Sequence, residues 1–294
     1  MDSVLITGGS GLLGKYLRQT SPNCYDISYT YKTHPIHNPE GYYMDLNDRH
    51  SIAKVFEEVK PNIIIHTAAI GSVDYCESHQ QEALDVIVEG TRNVLDECKK
   101  HDSKIVYISS NAVYDGENSP YSETDITDPI NWYGKCKLVA ENLVQESRLS
   151  FLIVRPILLY GWPHKFGRLN WVNIIVASLS KGLPVSMVYD TLTQPTYAVD
   201  CARVIWMLML RDREGIYNVG SDSRVTLFAF ALEVAQVWGY DMKLVKGMSS
   251  DRLQLFAPRP RDTTYDLVKL RNEVMECERI EYGLQRMRGE RNDT

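Results

Sequence analysis

Val4-Leu5-Ile6-Thr7-Gly8-Gly9-Ser10-Gly11-Leu12-Leu13-Gly14 is the stretch that decides the fold. Val4–Thr7 reads as a short apolar strand, and the glycines lead into a helix that runs to about Gln19. Gly8 permits a tight turn, Gly11 lets backbone approach an anion, and Gly14 lets helix and sheet pack closely. The helix start then offers free N–H groups to a pyrophosphate. Glycine triplets also mark ordinary turns, so the strand-to-helix context at the chain start carries the reading. It predicts a dinucleotide-binding turn with contacts from Gly8, Ser10, Gly11, Leu12, Leu13 and Gly14.

Beyond this turn, strand and helix signals alternate. Cys24–Tyr29 and Gly41–Met44 read as strands, and Asp48 can cap a helix over Ile52–Lys60 that Pro61 ends. Asn62–His66 is a β-branched buried strand, and Gln80–Lys100 a long helix with apolar residues at helical spacing. Lys104–Ile108, a helix over Asn131–Gln145 and Phe151–Val154 complete the series. Strands separated by helices imply parallel neighbours, hence an α/β fold: a Rossmann-type, doubly wound parallel sheet. After about residue 156 prolines punctuate shorter elements, with helices near 171–181, 199–210 and 226–238. The expected division is a dinucleotide-binding domain over 1–156, its sheet completed by segments near 190–220, and a smaller substrate lobe over 157–294.

Composition narrows the partners. A net charge of −6 gives no support for binding nucleic acid or an anionic membrane. The longest purely apolar run, Val204–Leu210, is far too short to span a bilayer; it serves the core or an interface, so a homodimer is the assembly in play. Six scattered cysteines and a strand-like start without a signal peptide predict a reduced, cytoplasmic protein. The seven histidines, His37 among them, form no metal-ligand spacing, and no metal is expected.

Tyr133-Gly134-Lys135-Cys136-Lys137 sets Tyr133 and Lys137 four apart on a predicted helix, so both project from one face. A phenol with a pKa of about 10 is a poor acid–base catalyst near neutrality. A nearby ammonium lowers that value, and the same lysine can hold a ribose. Ser110, after the strand Lys104–Ile108, lies where a hydroxyl could bind a substrate oxygen beside Tyr133. Ser110, Tyr133 and Lys137 are therefore the candidate catalytic residues. Alone, Y-x-x-x-K is also an ordinary helix face; the glycine turn upstream gives it weight.

The G-x-x-G-x-x-G spacing resembles the extended short-chain dehydrogenase/reductases. Further stretches resemble dTDP-4-dehydrorhamnose reductases: Pro61-Asn62-Ile63-Ile64-Ile65-His66-Thr67-Ala68-Ala69 with Val73-Asp74-Tyr75-Cys76-Glu77, and Tyr107-Ile108-Ser109-Ser110-Asn111. Asn131-Trp132-Tyr133-Gly134-Lys135, Arg155-Pro156 and Arg259-Pro260-Arg261-Asp262-Thr263 continue the likeness. The resemblance implies reduction of a 4-keto-6-deoxy sugar nucleotide by NAD(P)H, with Tyr133 donating the proton, Lys137 tuning it and Ser110 orienting the carbonyl. It also implies that Ala68 and Ala69 border the cofactor and Pro156 the nicotinamide pocket. Asp45, followed by Leu46, matches the superfamily position that contacts adenine, although Asp45 could instead cap the next helix. The end of the second strand carries no acid but has Lys32 close by, which favours NADP over NAD unless Lys32 is simply solvated. Asn111, Arg259 and Arg261 are the candidate substrate contacts; either arginine could instead make a structural ion pair.

Two departures from the resemblance matter. Many relatives carry an Asn in the long middle helix, where Ile87 stands here. Relatives also often show Ser-Thr-Asp where this chain has Ser109-Ser110-Asn111. These departures keep a second reading open: a regulatory subunit with a structural NADP, resembling the β-subunit of methionine adenosyltransferase. A nucleotide-sugar epimerase is a third.

Overall fold

Successive residues of a strand face opposite sides of a sheet, and the opening strand shows what this imposes. Val4 and Ile6 lie in one apolar cluster and Leu5 in another, so the strand must be covered on both faces. The computed structural model describes residues 1–35, 41–275 and 277–290. His37 and the last four residues of the expected lobe lie outside them.

Six strands, β1 (Asp2–Thr7), β2 (Tyr25–Tyr31), β3 (Gly41–Tyr43), β4 (Ile63–His66), β5 (Lys104–Ile108) and β6 (Phe151–Pro156), join Gly215–Val219 in a parallel sheet. The order across it is Gly215–Val219, β6, β5, β4, β1, β2, β3. Helices α1 (Leu12–Gln19), α2 (Arg49–Val59), α3 (Val73–Ser78), α4 (Gln80–Leu84), α5 (Gly90–His101) and α6 (Trp132–Glu146) fill the connections. The order reverses between β1 and β4, which pair from Val4 opposite Ile63 to Thr7 opposite His66. In open sheets of this kind, ligands bind where the strand ends part at such a reversal.

The structure refines several boundaries. β2 runs on to Tyr31 because Tyr29–Tyr31 pair with β3. Asp48 caps α2 by accepting from the His50 amide at 3.0 Å, so the helix begins at Arg49, and Lys60 ends it in a left-handed conformation (φ 47°). The expected continuous helix over Gln80–Lys100 is interrupted by a π turn at Asp85–Glu89, between α4 and α5. There the Gly90 amide reaches back to the Asp85 carbonyl. Gly90 packs so tightly on Leu46 that an added β-carbon would lie 2.8 Å from Leu46 Cβ. The helix shifts register where it meets that side chain.

Residues 157–290 divide between two layers. The helix Ala198–Leu210 packs against α1, and Trp206 Nε1 donates to the Leu17 carbonyl at 3.1 Å. Val204, Ile205 and Leu208 are fully buried there, so most of the apolar run belongs to the core. The remainder includes helices Trp171–Leu179, Leu227–Trp238 and Ile280–Glu290 and the parallel pair Val185–Val188 with Val245–Met248. No helix among the described residues is long and apolar enough to cross a membrane.

Beneath the strand ends, Arg155 of β6 grips Glu141 of α6 through two bonds of 3.0 and 2.6 Å, and both side chains are almost wholly buried. Arg155 also donates to the Tyr114 hydroxyl at 2.7 Å, and that hydroxyl donates to the Ser122 carbonyl at 2.9 Å. Removing one member of such a pair leaves an uncompensated charge in the core. Glu141→Ala should therefore lower the unfolding free energy by about 3–5 kcal/mol, whereas Glu141→Leu combined with Arg155→Met should recover most of it. Urea denaturation of the two variants tests this. An equal loss in both would mean that the network stabilises well beyond its own desolvation.

Candidate functional site

The glycine turn owes its shape to close approach. Gly8 has φ 68°, and a β-carbon there would lie 2.9 Å from Ala68 Cα. At Gly14 a β-carbon would run into the carbonyl oxygen of Gly8, so only glycine allows α1 to start over the turn. Gly11 caps α1 without a side-chain hydrogen bond, and no acidic residue occupies the first helical turn. The first amides of α1 are therefore left for an anion. This cradle fits a dinucleotide pyrophosphate, with Ser10, Leu12 and Leu13 beside it.

One hydrogen-bond chain holds the turn to β4. The Thr91 hydroxyl donates to the Ile87 carbonyl at 2.6 Å, so it must accept from His66 Nε2, 3.2 Å away. His66 Nδ1 then accepts from Thr7 Oγ1 at 2.8 Å, and Thr7 Oγ1 accepts from the Ala68 amide at 3.2 Å. Burial, followed by the charge of Lys137, pushes the His66 pKa down to about 3, which keeps the imidazole neutral in that tautomer. His66 is thus a structural relay between turn and helix. Ile87, at the position of the missing Asn, contributes its carbonyl to this chain while its side chain is buried in the core.

Ser110 and Tyr133 meet past the end of β5 and at the start of α6, with Lys137 one turn further along that helix. Asn131 caps α6 by accepting from the Gly134 amide at 2.9 Å, which places Tyr133 in the first turn. Gly134 is required there, because a β-carbon would strike the Ala112 carbonyl. Burial raises the Tyr133 pKa to about 12; the Ser110 hydroxyl and the Arg168 guanidinium act against that rise. Lys137 Nζ donates to the Ile108 carbonyl at 2.6 Å and stands 4.1 Å from the Tyr107 ring centre. Burial lowers its pKa to about 7, and Glu141, one turn further along α6, is the main group opposing the fall. Desolvation dominates both groups, and the guanidinium acting on the phenol belongs to Arg168.

Arg168 was not visible as a site residue in the sequence. It lies in the loop before the helix Trp171–Leu179, donates to the Gly71 carbonyl, and so reaches the loop after β4. Nothing in its spacing marks it, because the fold alone brings residue 168 over residue 71.

The late Arg-Pro segment does border this site. Asn111 Nδ2 donates to Thr263 Oγ1 at 2.6 Å, and Asn131 Nδ2 to the Pro258 carbonyl at 3.2 Å. Asp74 accepts from the Ala257 amide at 3.2 Å and from Arg259 at 2.8 Å. Arg259 is thus held in an ion pair, while Arg261 projects into solvent 3.6 Å from an equally exposed Asp251. At the far end of the cradle, Lys32 is paired with Asp45 at 2.8 Å. Leu46 turns its side chain into the core, and its carbonyl accepts from Asn93 at 2.9 Å. Pro156 ends β6, buried opposite Val219.

Comparison with known proteins places the chain among relatives. The dTDP-4-dehydrorhamnose reductase of Aggregatibacter actinomycetemcomitans is 28% identical over 282 residues, covering 92% of this chain and 92% of its own length. The methionine adenosyltransferase 2 subunit beta of Bos taurus is 27% identical over 275 residues, covering 91% of this chain and 81% of its own. A crystal structure of dTDP-4-dehydrorhamnose reductase from Bacillus anthracis in complex with NADP has a TM-score of 0.88 at 29% identity, covering 98% of this chain and 99% of that one. With residues 1–291 matched by the model described as RmlD substrate binding domain, the chain belongs to that family.

Proposed function

We propose that this protein is a reductase of a 4-keto-6-deoxy sugar nucleotide that uses NADPH, with NADH as the second choice. The observation that carries the reading is the meeting of Ser110 and Tyr133 beside a buried Lys137, at the sheet edge that also bears the glycine cradle. A family member with NADP bound supports the choice of cofactor. When bound, the nicotinamide supplies the hydride.

The protein's own groups supply the rest. With a pKa of about 12, the Tyr133 hydroxyl keeps its proton throughout the neutral range and can give it to an oxygen that becomes basic during reduction. Ser110 Oγ, fixed by the Ala112 amide at 3.2 Å, is placed to orient that oxygen. Arg168 and Lys137 stabilise the phenolate left behind, which eases the transfer. Ala68 and Ala69 line the cofactor side, Asp45 faces the adenine end, and Pro156 flanks the nicotinamide pocket. Asn111, Arg259 and Arg261 stand toward the sugar nucleotide; Arg261, whose head is in solvent, is the stronger candidate for its diphosphate.

One observation favours a second reading, a regulatory subunit with a structural cofactor. Ile87 gives an apolar side chain at the middle-helix position where many relatives carry Asn, and the methionine adenosyltransferase subunit is among the similar proteins. Turnover separates the two. Mixing the protein with NADPH and a dTDP-4-keto-6-deoxy sugar should oxidise the cofactor. Tyr133→Phe should lower kcat by about 10²–10⁴-fold, and Ser110→Ala by about 10²–10³-fold, with NADPH affinity retained. Tight NADPH binding without turnover on any keto-sugar nucleotide would move the assignment to the regulatory subunit.

The reductase reading also fixes a pH dependence. Burial disfavours the charged form of Lys137, so the side chain is cationic below about pH 7 and neutral above it. Since kcat/KM reports ionisations of the free enzyme, it should fall on the alkaline side through one step near pH 7, not near the ordinary lysine value of 10.5. Lys137→Met should remove that step along with most activity. A wild-type profile flat to about pH 9 would show that the charge of Lys137 does not matter to the reaction.

A further inference from the structure

Lys32 is the obvious cation for the 2′-phosphate of NADPH, yet its Nζ is already 2.8 Å from Asp45 Oδ2. Asp45 is well placed to keep it. Its other oxygen accepts from the Asn47 amide at 3.0 Å, and its carboxyl is held below the usual range by Lys32 and Asn47 despite partial burial. The pair has no net charge, and a phosphate would have to compete with Asp45 for Lys32.

A second cation stands on a ring of the same strand, β2. Arg18 lies in the last turn of α1, and its guanidinium stacks on the Tyr29 ring with its carbon 3.9 Å from the ring centre. Nη1 faces the Gly9 carbonyl at 3.5 Å, the outer limit of a hydrogen bond. Among the described residues no carboxylate pairs with Arg18. The ring beneath it is wedged in place: a β-carbon at Gly9 would lie 2.7 Å from Tyr29 Cβ, and one at Gly41 2.9 Å from Tyr29 Cε2. The platform is therefore rigid. The Gly9 amide donates to the Thr30 carbonyl at 2.8 Å and the Gly8 amide to Thr30 Oγ1 at 3.3 Å, so the turn and the end of β2 form one surface. A dinucleotide whose pyrophosphate sits on the α1 start directs its adenosine ribose to this surface.

We infer that Arg18, and not Lys32, is the residue that selects for the 2′-phosphate. The inference rests on the reading that the glycine turn holds a nicotinamide dinucleotide, but not on the reductase reaction. A guanidinium already oriented by stacking loses little freedom on binding, presents paired donors to a phosphate, and has no carboxylate partner to surrender among the described residues. The alternative is that Arg18 only supports the turn through Gly9 and complements the negative end of α1.

Direct binding decides between them. Kd values for NADPH and NADH would be measured by fluorescence titration at fixed ionic strength, for the wild type, Arg18→Gln and Lys32→Gln. The wild type should prefer NADPH by about tenfold or more. Arg18→Gln should weaken NADPH about tenfold while changing NADH by less than about twofold, and Lys32→Gln should change either by less than about threefold. NADH binding by Arg18→Gln also shows that the variant is folded. The inference is overturned if Arg18→Gln keeps the preference, if it weakens both cofactors equally, or if Lys32→Gln alone abolishes the preference. It is also overturned if the wild type shows no preference. Failure of the wild type to bind either cofactor would remove the dinucleotide reading itself, whereas binding without turnover would touch only the proposed reaction.

Discussion

Gly14 rests on the carbonyl oxygen of Gly8 with no room for a β-carbon between them, and most of the site depends on that contact. It sets the start of α1 directly over the end of β1, so the helix amides and the turn amides face the same space. The same turn is then clamped from the side. The Gly8 amide reaches Thr30 of β2, and the Thr7 hydroxyl reaches His66 of β4. The close contact and these two bonds together tie three strand ends into a single rim, at the point where the sheet order reverses. A larger residue at Gly14 would lift α1 and open that rim, even though every strand could still pair.

Burial is the second organising influence, and it acts in opposite directions on neighbouring groups. It raises the Tyr133 phenol to about 12 and lowers the Lys137 ammonium to about 7. Glu141 offsets part of the fall at Lys137 from within a buried ion pair with Arg155. The pair is therefore more than a support for β6 and α6. It leaves a carboxylate one helical turn behind the lysine while Arg155 satisfies that carboxylate with two hydrogen bonds. A site built in this way holds its proton on the phenol, which suits a group that donates when an oxygen gains charge.

How much of this could be read from the sequence follows from how local each feature is. The glycine turn, the strand–helix alternation and the Tyr133/Lys137 spacing are set by residues close together in the chain, and they were legible. The Asp48 cap was legible for the same reason. The π turn at Asp85–Glu89 was not, because it answers the approach of Leu46 to Gly90 across the fold. Arg168 was invisible because its partner, the Gly71 carbonyl, lies 97 residues away in the chain. Arg259 and Lys32 were named as ligand contacts on charge and place in the chain. Their partners Asp74 and Asp45 became apparent only once distant segments were brought together.

Those two ion pairs bear on how the site works. Asp74 accepts from both the Ala257 amide and Arg259, and Asn111 donates to Thr263, so the late segment is fastened to the first turn of α3 and to the β5 end at separate points. Gly116, with φ 93°, lets Pro260 of the same segment come within 2.6 Å of where a β-carbon would stand. A segment held by backbone packing and by side-chain pairs does not need a ligand to bring it to the site. Arg168 adds a further bridge from the lobe to Gly71. The candidate site is therefore bounded by elements already in contact with one another. Much of the ordering that a substrate would otherwise have to impose is present in the fold, which lowers the entropic cost of binding.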